Sequence, residues 1–564
     1  MISVSGKTWI QQKVNKNLVE KFKQDYNFNE HLSQLIVSRN FDESEINDLI
    51  YKLKITNNFV KNPDFDVATD ILINSINKNE KICILGDYDV DGTAATSLLV
   101  NYFNYIKQEH YFYIPHREID GYGATKKLLK KLIIKKPKLI IMVDCGSTSN
   151  EAVDFLNQNN INSIIIDHHE INKPYPKSNV IINPKKNNGY QKFDYFCATT
   201  LTYFFLDLLL KKKKSNFKLS SFLIYVLLAT VCDVMPIRKV NKIIARNVID
   251  NFNIKDNDAL NCIFKILSIN RKLSIDDLGF IIGPIINAGG RLGKSHYGTE
   301  LFTSKNMTII NKRSIDLIKL NEKRKKIEKN ILDQIDFKKI NEKNKDVIIY
   351  HYKNLHEGLI GIIAARLKDF FNKPTIVITN SGDKFKGSAR STLNYNIGKI
   401  INLLVEKKIL EKGGGHNLAA GFTIKKDNIK MLDDFVQNHY AKQKVNSKKL
   451  FNYDLQISLS AINKNFINDI DKLGPFGHYN PEPLYLIKNI KILKSKIINE
   501  KHIASIIKPR IGTSIKSICF NSTDTEFERY LLSFNKEMNL ITKIKKNIFN
   551  NKTHLQLSIL DIII

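Results

Sequence analysis

The stretch GDYDVDG, residues 86–92, sets three carboxylates, Asp87, Asp89 and Asp91, within five residues of one another in a chain whose formal net charge is +31. Carboxylates so close repel, and each raises the pKa of the next unless a cation sits among them. Three further segments bring groups of the same chemistry: Asp144 in VDCGSTS, His168 and His169 in IIIDHHE, and Asp233 in ATVCDVMP. A single aspartate in such a place reads as a helix cap or turn residue. Four segments ending alike read as a metal site built from Asp89, Asp91, Asp144, His168 and Asp233. Oxygen-rich ligands with one imidazole and no thiolate suit Mn²⁺ or Mg²⁺ rather than structural zinc. His168 and His169 are neighbours in the chain, so in an extended segment one ring can bind metal while the other faces substrate.

The elements that position these groups are legible as apolar runs ending in polar residues. KICILGDYD, KLIIMVDCG and INSIIIDHHE are such runs, and each is followed by a segment of helical composition. Continuous apolar strands alternating with helices predict an α/β fold, a parallel sheet covered on both faces, with ligands at the carboxyl ends of its strands. The clusters at 87–91, at 144 and at 167–169 lie at such ends. At 564 residues the chain is too long for one core, and its 43% apolar content is that of a globular protein. The longest apolar run, 222–235, is shorter than the roughly 20 residues that cross a bilayer and ends near an aspartate, so it reads as a buried helix rather than a membrane span. No signal-peptide pattern opens the sequence, and the six cysteines form no CxxC pair. A reducing cytoplasm is the expected setting. The 87 basic residues against 56 acidic ones point toward a polyanionic partner, although Lys and Asn are abundant everywhere, as AT-rich coding alone would produce.

With these motifs in order, the chain resembles the DHH phosphoesterase family, named for a triplet such as Asp167-His168-His169. HREIDGYG, GPIINAGGRLG, HEGLIGIIAARL, KGSARS, GGGHNLAAG and GPFGHYNPEP follow in the sequence of the family's single-strand-specific DNA exonucleases, from about residue 80 to the C-terminus. The resemblance implies a two-lobed DHH/DHHA1 fold joined by a long helix, plus a C-terminal β-barrel of the OB type. The expected limits are an N-terminal helical segment at 1–65, a metal-binding lobe at 66–305, a connector at 306–342, a substrate-binding lobe at 343–445 and the OB domain at 446–564. Apolar residues at helical intervals from Leu317 to Ile335 suit that connector. Phe451, Tyr453, Phe476 and Tyr485 read as barrel core rather than as stacking platforms.

The chemistry implied is hydrolysis of single-stranded DNA from its 5′ end by two Mn²⁺ or Mg²⁺ ions, in recombination and repair. By resemblance Asp144 bridges the ions, Asp89, Asp91, His168 and Asp233 complete their shells, and Asp87 either ligates or orients a ligand. His169 is expected to touch the scissile phosphate or move a proton, or else only to bond a carboxylate. Phosphate-chain contacts are expected from Arg117, Arg291, His356, Ser388, Arg390, Gly414, Gly415 and His416, with Arg117 and Arg291 open to an alternative role in salt bridges. The implied partners are single-stranded DNA, a helicase and a single-strand-binding protein, and the implied state is a monomer without membrane contact. The chain departs from the family's usual pattern at CATT, Cys197 to Thr200, at Ile285 where an arginine is usual, and at Leu355 where a tryptophan is usual. Two other readings stand beside this one: a DHH phosphodiesterase of oligoribonucleotides, 3′-phosphoadenosine 5′-phosphate or cyclic dinucleotides, and a non-catalytic single-strand-binding scaffold.

Overall fold

The computed structural model describes all residues except 1, 118, 122, 187–188, 354, 393, 444–449, 535 and 550–551; side chains of 547–553 are likewise outside the description. The expected boundary at 445/446 falls among these. The described chain forms two compact units: one of Met1–Ile55, Pro236–Arg246 and Asn446–Ile564, the other of Thr56–Met235 and Asn247–Val445.

The larger unit holds two sheets. The first is five-stranded, in the order His110–Tyr113, Ile82–Leu85, Leu139–Val143, Asn162–Ile166, Val180–Ile182, and every pairing is parallel. Its strands ICIL and LIIMV are buried at every position, as expected of strands with helices on both faces. Leu128, Leu129, Val153 and Leu156, from two of those helices, pack on one face against Cys83, Ile140 and Ile165. The second sheet runs Lys412–His416, Ala419–Ile424, Lys384–Arg390, Thr375–Ser381, Ile348–His351, and only its last pair is parallel. A 28-residue helix, Met307–Gln334, runs in sequence between the two sheets and buries Ile310, Leu317 and Ile331 at helical spacing.

The smaller unit is built on a closed barrel. Tyr485–Ile498, His502–Pro509, Ile515–Cys519, Lys552–Ile563 and Met538–Phe549 pair in that order, and the last returns to the first. Tyr485 is buried in its core and Tyr453 in a second cluster with Trp9, Leu486 and Ile541, whereas Phe451 and Phe476, expected there too, are only half-buried. The N-terminal helices Glu30–Ser38 and Glu43–Tyr51 contribute Leu32, Leu35, Ile36 and Ile46 to the same core. Asp561 on the final strand is fully buried and accepts from the Ser3 and Ser5 hydroxyls and from the Trp9 indole N–H at 2.7, 2.5 and 2.7 Å.

Candidate metal and phosphate site

The acidic groups gather where the first sheet's strands end. Ile82–Leu85 leads into Asp87, Leu139–Val143 into Asp144, and Asn162–Ile166 into Asp167, His168 and His169. Asp233 caps the C-terminus of the apolar helix Leu223–Cys232. Ligand atoms of Asp87, Asp89 and Asp144 lie within 4.8 Å of one another, as do those of Asp144, His168 and His169, and those of Asp91, His168 and Asp233. His168 Nε2 is 3.4 Å from an oxygen of Asp144, 3.4 Å from one of Asp233 and 3.6 Å from one of Asp91.

Two of these carboxylates also hold helices. Asp89 is the N-cap of Val90–Ile106, accepting from the Gly92 N–H at 3.1 Å. Asp91 serves the start of a second helix, Ala198–Lys213, accepting from the N–H groups of Ala198 and Thr199 at 2.7 and 2.8 Å and from the Thr199 hydroxyl at 2.6 Å. The CATT departure is therefore a helix N-terminus aimed at a carboxylate, where the helix dipole favours negative charge. Nothing in the spacing of Thr199, 108 residues from Asp91, announced this contact.

Asp167 does a different job. It accepts from the backbone N–H of Ser147, His168 and His169 and from His169 Nδ1 at 2.8 Å. Burial opposes its charge, but the His169 hydrogen bond and both histidines hold its carboxyl well below the usual range. Burial opposes the charge of His169, but the same bond together with the charges of Asp167, Asp87 and Asp233 raises it to about 9. Asn183 steadies this loop by donating to Ser147 Oγ and the His169 carbonyl at 2.8 and 2.9 Å. Asn183 and Ser147 are supports that sequence reading missed.

The cluster fits a cation. Neither oxygen of Asp144 meets a hydrogen-bond donor, nor does Asp87 Oδ1, and neither ring nitrogen of His168 has a hydrogen-bond partner. Buried polar atoms are rarely left so. Burial, then the neighbouring carboxylates, raise Asp87 to about 8 and push Asp89, Asp144 and Asp233 upward. Burial lowers His168 to about 4, which keeps its imidazole neutral and able to ligate. The backbone is strained beside two of these groups: Asp144 has φ 60° and the β-branched Val234, next to Asp233, has φ 55°. Such conformations are uncommon outside glycine and cost a β-branched residue such as Val234 about 1–3 kcal/mol.

A basic group stands nearby in the same unit. Arg291 is half-buried; desolvation, then Arg117, Arg390 and Arg324, lower it to about 10. Among the described residues, Arg117, Arg291 and Arg390 make no ion pair with a carboxylate, so the salt-bridge alternative for Arg117 and Arg291 finds no support. Arg390 donates to Ser388 Oγ at 3.1 Å, as two residues on one face of a strand can. Arg117 lies 5.2 Å from the centre of the Tyr88 ring. Arg291 donates to the Gly358 carbonyl at 3.0 Å, and His356 Nδ1 accepts from the Gly358 N–H at 3.1 Å. His416 stacks on His169 with ring centres 6.1 Å apart, and Gly414 and Gly415 precede it on the exposed edge strand Lys412–His416. Ile285 and Leu355, the two other departures, are buried in apolar core.

Comparison with known proteins agrees with this architecture. A model of the DHH family N-terminal domain matches residues 81–230, one of the DHHA1 domain 344–442, and one of the RecJ OB domain 453–561. The chain thus carries a DHH-type, a DHHA1-type and a RecJ OB-type region in that order. Among individual proteins it is similar to the single-stranded-DNA-specific exonuclease RecJ of Escherichia coli, 26% identical with 87% of this chain and 89% of that protein covered. It is also similar to RecJ of Bacillus subtilis, 24% identical over 98% of this chain and 70% of that one. The fold matches the crystal structure of Thermus thermophilus RecJ in complex with Mn²⁺, with a TM-score of 0.81, 18% identity, and coverage of 98% and 79%.

Proposed function

We propose that the chain is a metal-dependent exonuclease that degrades single-stranded DNA from its 5′ end, in recombination and repair. The observation that carries this reading is the buried cluster of Asp144 and His168, without hydrogen-bond partners among Asp87, Asp89, Asp91 and Asp233, in the same unit as arginines without acidic partners. Asp87, Asp89, Asp91, Asp144, His168 and Asp233 are the residues to hold Mn²⁺ or Mg²⁺, with Asp144 belonging to two of the three ligand groups. Two such ions supply Lewis acidity toward a phosphodiester and an activated water.

The chain's own groups complete the chemistry. Asp167 fixes the His169 ring and keeps it cationic, so that it can face a phosphate or give up a proton. Arg117, Arg291, Arg390, Ser388, His356 and His416 bind and orient the phosphate chain, with Gly414 and Gly415 letting backbone approach it. A passage fitted to one backbone excludes a duplex. The RecJ-type OB domain favours a polynucleotide over a dinucleotide or nucleotide substrate, and the complete ligand set opposes a silent scaffold. No helix among the described residues is long and apolar enough to cross a membrane. All six cysteines are free, in keeping with a cytoplasmic monomer working on strands that a helicase opens and a single-strand-binding protein covers.

The test is a comparison of single strands labelled at either end, incubated with Mn²⁺. Mononucleotide released first from the 5′ end is the expected result. Release first from the 3′ end, or none without a duplex, would overturn the reading.

A further inference from the structure

The motif GPIINAGGR enters the proposed mechanism only through Arg291, yet the helix it forms, Gly283–Arg291, touches both halves of the acidic cluster. Gly283 and Gly290 are seven residues apart, about two turns, so they lie on one stripe of the helix roughly 10 Å apart along its axis. At Gly283 a Cβ would stand 2.3 Å from Cys232 Sγ, and Cys232 is the residue before Asp233. At Gly290 a Cβ would stand 2.3 Å from the Tyr88 carbonyl oxygen and 3.0 Å from Tyr88 Cβ, and Tyr88 sits between Asp87 and Asp89. The bare helix backbone therefore rests at one end on the segment carrying Asp233 and at the other on the segment carrying Asp87 and Asp89.

We propose that this helix sets the separation of those two segments, with Gly283 and Gly290 as positioning residues for the metal centre; the proposal rests on the metal reading given above. The tolerances support it. A methyl at Gly290 meets backbone and forces the Tyr88 carbonyl back by roughly 0.7 Å merely to reach the shortest tolerable contact, whereas metal–ligand distances hold to about 0.2 Å; a methyl at Gly283 meets the Cys232 thiol and displaces that side chain against the segment of Asp233. The helix cannot readily yield instead. On its other side Gly289 is pressed against the Lys294 carbonyl, which a methyl there would meet at 2.8 Å, and against Leu317 of the Met307–Gln334 helix, which it would meet at 3.1 Å; the helix's last residue is tied to Gly358.

Mn²⁺ affinity, measured by calorimetry on the full chain alongside melting in EDTA, separates positioning from plain packing. Gly290→Ala and Gly283→Ala are expected to weaken Mn²⁺ binding about tenfold or more, the range seen when outer supports of a metal site are lost. Gly289→Ala, similarly crowded but facing away from both segments, is expected to lower the melting temperature while binding Mn²⁺ within about threefold of wild type. In Gly283→Ala/Cys232→Ala the 2.3 Å collision is gone, leaving only the Leu278 carbonyl at 2.9 Å, and most of the lost affinity is expected to return. Wild-type affinity in Gly290→Ala, or equal loss in Gly289→Ala, overturns the proposal. Should Gly290→Ala not fold, the Cys232 pair decides alone, and a double variant no tighter than Gly283→Ala overturns it. If the wild-type chain itself binds no Mn²⁺, the metal reading fails first and takes this inference with it.

Discussion

Asp144 is the most burdened residue of the protein. It is buried, its φ is 60°, neither oxygen receives a hydrogen bond, and burial with four other aspartates pushes its pKa well above the usual range. An arrangement so unfavourable in the empty protein is kept only where a ligand relieves it. Asp144→Asn is therefore expected to abolish turnover in Mn²⁺ and at the same time to stabilise the metal-free protein, by about 1–3 kcal/mol. Melting in EDTA checks the second half; a variant that melts lower than wild type there would contradict it. At this scale the sequence was informative wherever a carboxylate or histidine closed an apolar run, as at Asp87, Asp144 and His168. It was silent about partners brought from far away. The hydroxyl of Thr199 on Asp91, and Asn183 on Ser147, depend on loops whose meeting no local pattern encodes.

The parallel strands of the first sheet were legible because burial on both faces demands unbroken apolar runs, and ICIL, LIIMV and the last three residues of NSIII are such runs. The alliance of the N-terminal helices and of Pro236–Arg246 with the barrel was not legible, since amphipathic helices declare that they pack without declaring on what. That alliance has a weak point at Lys242. Glu45 pairs with Arg238 and Asp48 with Arg246, while the Lys242 ammonium, 1% exposed, has no hydrogen-bond partner and lies 5.0 Å from the centre of the Phe41 ring. Burial lowers its pKa from 10.5 to about 8. The folded protein thus gives up this proton near pH 8, whereas the unfolded chain keeps it to 10.5, so unfolding takes up a proton between those values. Stability rises with pH across that window, and below it the full cost of burying the charge is present. Lys242→Met is expected to stabilise the smaller unit at pH 7 by about 2–3 kcal/mol, with the gain fading from about pH 8 to 10.5. Trp9, the only tryptophan, belongs to this unit and reports its unfolding by fluorescence. A variant less stable than wild type at pH 7 would show that the ammonium gains more from Glu45 and Asp48 than it loses by burial.

For the whole molecule, the +31 charge is the feature that sequence alone left divided between function and coding bias. Arginine resolves part of it, because Arg117, Arg291 and Arg390 converge without acidic partners while many lysines, such as Lys211, Lys212 and Lys472, are engaged in surface pairs. If those three arginines neutralise three phosphates, affinity for a single strand falls about twentyfold between 50 and 200 mM salt. A fall much steeper would assign the diffuse lysine charge to binding as well, and no fall would deny both. The domain order was legible from the succession of motifs, but the closed barrel was legible only through the family resemblance, because strand pairing across long separations leaves no local trace. The central claim is that this acidic cluster exists to hold divalent cations. It is tested most directly by counting the manganese ions bound per chain at equilibrium: two in the wild-type protein, with loss of binding in Asp144→Ala at unchanged circular dichroism, is the predicted result. A wild-type chain that binds none, or that binds two as tightly without Asp144, would contradict it.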